Sequence, residues 1–303
     1  TASSAITDEA TVGAEDTVYA HISVNAASVA EGGQLTYTVT LKDSAGNVVS
    51  VPTGANVNVA LTWSGAASGG ADTSSLPASV TISGGSSTSF TVTAKDDYLK
   101  EGSEGLVATI SGVTDVNGKF EAVAVGSANT ASSAITDEAT VGAEDTVYAR
   151  IVNVAGSVTE GGALTHRVEL VDAQGNLVTV PTGGSVKVTL LYSADTTSSA
   201  DFSGTRVTSV TIPAGQSSVL LSNQTINDAI FEGNEGYTLT LDTVTDVSSS
   251  FEAIAKHSTS NSVVGTITDN ETAPTLSVSS TTVGESAGYA VFDVKLSTPS
   301  ALT

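Results

Sequence analysis

Between positions 96 and 104 the chain reads Asp96-Asp97-Tyr-Leu-Lys-Glu101-Gly-Ser-Glu104, four carboxylates within one loop's length. A related run, Asn227-Asp228-Ala-Ile-Phe-Glu232-Gly-Asn-Glu235, follows 131 residues later. Paired acids can protonate and activate a glycosidic bond, or they can chelate a metal. Aromatic residues make up 5% of the chain, too few to line a sugar cleft. The one Gly-x-Ser-x-Gly match, Gly284-Glu-Ser286-Ala-Gly288, has no helical pattern after it and so is no nucleophile elbow, and the absence of cysteine excludes a thiolate nucleophile, a thiolate zinc site and a disulfide framework. Chelation by oxygen is the chemistry left.

Charge points the same way. The chain has 32 acidic and 10 basic residues, a net charge of −22. Nucleic acid and anionic membranes are poor partners for such a surface, and cations are good ones. No apolar run reaches membrane-spanning length, so no membrane insertion is expected.

The elements that must position these acids are strands. Val, Thr, Ser, Ala and Gly dominate, and apolar residues alternate with polar ones, as in Thr36-Tyr-Thr-Val-Thr-Leu41. Seven strands are expected in the first unit. They are A (17–24), B (35–41), C (56–63), D (79–82), E (88–93), F (106–110) and G (122–135, with an irregular start). Short strands with frequent turn signals imply an all-β, immunoglobulin-like Greek-key sandwich.

The sandwich recurs. Residues 1–20 return unchanged as residues 130–149, and Glu31-Gly-Gly returns as Glu160-Gly-Gly. The expected organisation is the end of a preceding repeat at 1–12, a first sandwich at 13–138, a second at 139–270 and a truncated third at 271–303. Leu276–Glu285 matches Ile22–Glu31, and one further strand is expected over 289–296. The third piece is too short to bury a core.

If successive strands run up and down, loops AB, CD and EF and the end of G share one pole. In the first repeat those places carry Glu31, Asp72, the 96–104 run and Asp137-Glu138. In the second they carry Glu160, Asp201, the 228–235 run and Asp269-Asn-Glu271. Like charges a few ångströms apart repel by on the order of a kcal/mol or more each at an effective dielectric near 20. Ten Lys and Arg residues are too few to neutralise them. A hard divalent cation can, and Ca²⁺ accepts six to eight oxygens in flexible geometry.

These motifs resemble the Calx-β pattern: Glu31-Gly-Gly after A, Asp72 after C, Asp97-x-x-x-Glu101-x-x-Glu104 after E, and Ile135-Thr-Asp137 closing G. The resemblance implies Ca²⁺ ligands at Glu31, Asp72, Asp96, Asp97, Glu101, Glu104 and Asp137. In the second repeat it implies Glu160, Asp201, Asp228, Glu232, Glu235 and Asp269, and the carbonyls of Leu99 in the first repeat and Ile230 in the second contribute. Asn227 stands where the first repeat has Asp96, so the second site carries less charge. The near-identical array, lacking cysteine and rich in Thr, Ser and Ala, is similar to the extender repeats of bacterial repeats-in-toxin biofilm adhesins exported by type I secretion.

That likeness implies an extracellular, non-enzymatic role: sandwiches stiffened by Ca²⁺ and by their neighbouring repeats, holding an adhesive end away from the cell. The rival readings are a glycan- or surface-binding module and a Ca²⁺ sensor. The histidines, His21, His166 and His257, do not recur between repeats and are expected to be structural. Thr36, Thr38 and Thr40 read as the exposed face of a strand, and Asp43–Asn47 and Asp172–Asn176 as turns.

Overall fold

The computed structural model describes residues 3–5 and 11–302. Contacts divide the chain into two units, residues 1–141 and 142–303. Most of the tail expected at 1–12, including Asp8, lies outside the described residues.

The first unit contains β1 (Thr17–Val24), β2 (Val29–Ala30), β3 (Gln34–Lys42), β4 (Asn56–Ser64), β5 (Ser79–Ser83), β6 (Ser87–Thr93), β7 (Ser103–Asp115), β8 (Ala122–Val125) and β9 (Thr130–Thr136). One sheet has the order β6-β3-β1-β8 and the other β2-β9-β7-β4-β5. Alternation drives the burial: in β3, Leu35, Tyr37, Val39 and Leu41 are buried while the residues between them face outward. They join Val57, Val59, Ile82, Leu106 and Ile135 in one core. The chain is all-β, and its units are sandwiches.

Expected strand A is β1, which the chain follows with the short β2, and expected strand G divides into β8 and β9. β1 and β8 pair in parallel within one sheet, Thr17 opposite Ala122, and β2 and β9 pair in parallel in the other, Val29 opposite Ile135. The switch in G falls at Gly126, whose N–H bonds to Ala20 O at 2.9 Å. A Cβ at Gly126 would stand 2.5 Å from the His21 ring, so only glycine passes there without displacing it. Periodicity does not reveal such a switch, because both halves alternate alike.

The second unit repeats the plan with β10 (Thr146–Ala155), β11 (Ser157–Thr159), β12 (Ala163–Val171), β13 (Ser185–Ser193), β14 (Ser209–Pro213), β15 (Ser218–Gln224), β16 (Glu235–Asp246), β17 (Ala253–Lys256) and β18 (Ser262–Thr268). Its sheets run β15-β12-β10-β17 and β11-β18-β16-β13-β14. After it, β19 (Leu276–Val278) and β20 (Val294–Leu296) form an antiparallel hairpin. The strand expected over 289–296 is thus limited to its last three residues. Leu276, Val278, Tyr289, Val291, Phe292, Val294 and Leu296 are all exposed. Its end is fastened: Phe231 N–H donates to Pro299 O, and Ala301 N–H to Phe231 O, both at 3.1 Å.

Candidate metal centre

The switch of strands A and G builds the acidic pole. Parallel pairing sets Ala30 beside Thr136, and Glu31 N–H continues the ladder to Thr136 O at 3.0 Å. Glu31 and the 137–138 acids therefore emerge side by side. In the second unit Thr159 lies beside Thr268, and Glu160 N–H reaches Thr268 O at 3.1 Å. The Gly-Gly after each Glu has a mechanical reason. Gly32 and Gly161 take φ near +70° and +77°. A Cβ at Gly33 would stand 2.9 Å from Ala30 O, and at Gly162 2.8 Å from Thr159 O.

The loop after β6 is shaped by its own acids. Asp97 accepts the Leu99 N–H at 2.7 Å, and Asp228 accepts that of Ile230 at 2.8 Å, each an Asx turn. Asp137 closes the loop onto the end of β9 by accepting Gly102 N–H at 2.9 Å and Glu101 N–H at 3.3 Å. Asp269 accepts Glu232 N–H at 2.7 Å, Gly233 N–H at 2.5 Å and Glu271 N–H at 2.7 Å. Burial opposes ionisation of Asp269, but these donors outweigh it and hold the carboxyl below its ordinary range. Asp137 and Asp269 thus act first as buckles.

Carboxylates from distant positions converge. Ligand-type oxygens of Asp72, Glu101 and Glu104 lie within 4.8 Å of one another, as do those of Glu31, Asp96 and Glu138. In the second unit Glu160, Asp269 and Glu271 form such a group. Glu160, Asp201, Asp228, Glu232 and Glu235 also line a cavity of about 10 Å³ floored by Ile226 and Ile267. That volume suits one water-sized particle.

Electrostatics show what this crowding does. Burial, then the charges of Asp72, Glu104 and Asp97, pushes Glu101 up to about 7. Burial, then Glu271, Asp269 and Asp228, does the same to Glu160, again to about 7. Glu235 rises to about 7 through burial, Asp201 and Glu232. Glu104 and Glu232 are also raised, with burial the largest cause. The ion pairs of Arg150 and Arg167 with Glu169, and of Arg206 with Asp195, leave these acids untouched. Glu104 Oε2 and Glu160 Oε2 are buried without a hydrogen-bond partner among the described residues. An all-oxygen, multiply charged donor set with orphaned buried oxygens fits a hard divalent cation.

The structure adds Glu138 and Glu271 to the set implied by the motif. Glu138 directly follows the strand-closing Asp137 and Glu271 stands two residues after Asp269, and that proximity was the available signal. The repeats also differ. Asp201 donates part of its capacity to a capping box, accepting the Ser198 N–H beside the short helix Ser199–Asp201. Asn227 occupies the place of Asp96 and touches the Asn270 side chain. Leu99 and Ile230 are fixed through their N–H groups by the Asx turns.

No family model matches the chain, and no curated protein matches it. Distant likenesses exist among solved structures. The chain is similar to CBD12 from CALX1.2, at 14% identity over 82% of this chain and 99% of that one, with a TM-score of 0.33. It is similar to invasin, a bacterial integrin-binding protein, at 15% identity over 86% of this chain and 42% of that one, also at 0.33. A third likeness is to FdeC, an Escherichia coli adhesin, at 17% identity over 84% and 65%, with a TM-score of 0.26. Tandem all-β sandwiches with an acidic, cation-suited pole are what this chain presents.

Proposed function

We propose that this chain is an extender segment of an extracellular bacterial adhesin, in which Ca²⁺ bound at the acidic pole of each sandwich stiffens a tandem array. Sandwiches at 13–138 and 139–270 are the repeating parts, and 271–303 starts another. The repeats-in-toxin, type I secreted setting belongs to the same proposal, as does the cell-surface location. The chain works by holding position, without catalysis.

The convergence of Glu160, Asp201, Asp228, Glu232 and Glu235 on one small cavity carries the reading. Burial first, and then the charges of neighbouring acids, push Glu160 and Glu235 to about 7, and a divalent cation offsets both. The ligand residues proposed are those implied by the motif, with Glu138 and Glu271 added. Ca²⁺ that binds the folded state alone stabilises it by mass action, about 1.4–2.7 kcal/mol per site at 10 to 100 times Kd. Extracellular modules with Kd near 10⁻⁴–10⁻³ M are matched to millimolar media.

Small-angle scattering and thermal unfolding of the whole chain test this, in millimolar Ca²⁺ and in chelator. The reading expects a longer maximum dimension and a higher midpoint with Ca²⁺. Identical profiles in both conditions reject it. A micromolar Kd by calorimetry would favour the sensor instead.

A further inference from the structure

The two repeats share a fold but not a core. In the first, Tyr37 stacks on Phe90 and meets Trp63 edge-on. In the second, the positions equivalent to Val24, Tyr37, Trp63, Val92 and Leu106 are Asn153, His166, Tyr192, Asn223 and Tyr237. Register confirms the equivalence: Val24 pairs with Tyr37 as Asn153 pairs with His166. Five apolar or aromatic sites have become one polar chain.

The hydrogen bonds of that chain run in one direction. Asn153 Nδ2 donates to Val264 O at 3.1 Å, so its Oδ1 must be the acceptor facing His166 Nδ1 at 2.7 Å. His166 therefore carries its proton on Nδ1, and Nε2 accepts from the Tyr237 hydroxyl at 3.1 Å. The Tyr237 oxygen accepts from Asn223 Nδ2 at 3.2 Å. Asn223 Nδ2 also donates to Tyr192 Oη at 2.9 Å, and Asn223 Oδ1 accepts Val207 N–H at 3.0 Å. Tyr192 donates onward to Val207 O at 2.9 Å. Every member is satisfied in the neutral state.

We propose that His166 makes the second repeat an acid-sensitive element: its neutral imidazole latches β10, β12 and β16 together, and protonation releases them. A proton on Nε2 would confront the Tyr237 O–H donor. Tyr237 would have to turn its hydrogen away while its oxygen still accepts from Asn223, and that hydrogen would lose its acceptor. A charge would also stand at a site with 0% exposure.

Among the described residues, the groups facing His166 offer that charge no carboxylate. They are Asn153 on β10, Tyr237 on β16, and, one step further, Tyr192 on β13 and Asn223 on β15. Arg206 lies beyond, 4.5 Å above the Tyr192 ring and paired with Asp195 at 2.5 Å. Glu169, on the other face of β12, is held by Arg150 and Arg167. Burial accordingly holds the imidazole below its ordinary value of 6.5.

The sign follows. A histidine kept neutral by folding binds fewer protons than in the unfolded chain, so its stabilisation is complete above pH 6.5 and is lost as pH falls below that value. The opening constant of the second repeat should rise by up to about tenfold per pH unit over that window. Tyr37 at the equivalent place adds no such dependence, and the first repeat's own histidine, His21, is held below its ordinary value by burial and then by Lys42.

Hydrogen exchange of the whole chain, in millimolar Ca²⁺ from pH 5 to 8, tests the latch with His166→Gln as the comparison. After correction for intrinsic rates, the wild type should lose protection in β10, β12 and β16 below pH 6.5 relative to His166→Gln, with β1, β3 and β7 unchanged by the substitution. Superimposable pH profiles for the two proteins overturn the proposal. If His166→Gln does not fold, ¹⁵N spectra of the wild-type histidines decide. His166 should remain an Nδ1–H tautomer until the second repeat opens. A ring that titrates at pH 6.5 inside an intact repeat overturns it.

Discussion

Glu232 donates its backbone N–H to the Asp269 carboxylate at 2.7 Å, joining an acidic loop to a strand end 37 residues away. The same carboxylate takes Gly233 and Glu271, so one side chain fixes the geometry of several others. Each pole is built this way: acids spent on the backbone, Asp137 or Asp269 foremost, hold the remaining acids together.

Removing that buckle should cost stability even without metal. Asp269→Ala deletes hydrogen bonds to a charged group, worth about 1.5–3 kcal/mol in total after allowing for partial exposure. Denaturant unfolding in chelator measures the loss. If the whole deficit appears only with Ca²⁺ present, Asp269 is a ligand and not a buckle.

Neutralising a crowded acid should have opposite effects with and without metal. Glu235→Gln removes a carboxylate that burial, Asp201 and Glu232 push up to about 7. In chelator at pH 8 the variant should melt higher than the wild type. In millimolar Ca²⁺ it should melt lower, with weaker Ca²⁺ binding by calorimetry. A shift of the same sign in both conditions would exclude Glu235 as a ligand.

Calcium binding should release protons near neutral pH. Glu101, Glu160 and Glu235, with values near 7, are partly protonated there in the metal-free chain. A bound cation requires them ionised. Calorimetric titrations at pH 6.5 in two buffers of different ionisation enthalpy should differ, and at pH 9 they should agree. Equal heats at pH 6.5 would remove these three residues from the site.

The two cores should answer to the loss of one hydroxyl in opposite ways. Tyr37 Oη is buried with no hydrogen-bond partner among the described residues. Tyr37→Phe should therefore be neutral or stabilising by up to about 1 kcal/mol. Tyr237→Phe strips His166 Nε2 of its donor and Asn223 of an acceptor, and should cost about 1–3 kcal/mol. Chemical denaturation of both variants in Ca²⁺ measures the contrast.

Gly265 should tolerate a side chain only if Tyr237 is reduced. The two residues face each other across β16 and β18, where the first repeat pairs Leu106 with Ser133. A Cβ on Gly265 would stand 2.7 Å from the Tyr237 ring. Gly265→Ser alone should destabilise by about 1–3 kcal/mol, and adding Tyr237→Leu should recover part of the loss. Additive thermal shifts would show that the sites are independent.

Much of this was legible in the chain. Alternation marked β3, β4 and β6, because one face of each is buried and the other wet. The repeat and its acidic motifs marked the pole. Strand G was read as one element because β8 and β9 share the same period and differ only in the sheet they join. Glu138 and Glu271 were seen at the pole, but their inclusion depended on a parallel pairing that leaves no mark in composition.

The sequence by itself determined the fold class, the tandem plan and the clustering of acids, since these follow from periodicity, repetition and strand parity. Only the tertiary structure decided which acids share an ion-sized space and which are spent on the backbone. It alone also showed that His166, unremarkable in sequence, closes a directed network through the second core. The reason is physical. Periodicity fixes which face a residue takes, whereas a ligand set or a hydrogen-bond chain depends on distances between residues separated by dozens of positions.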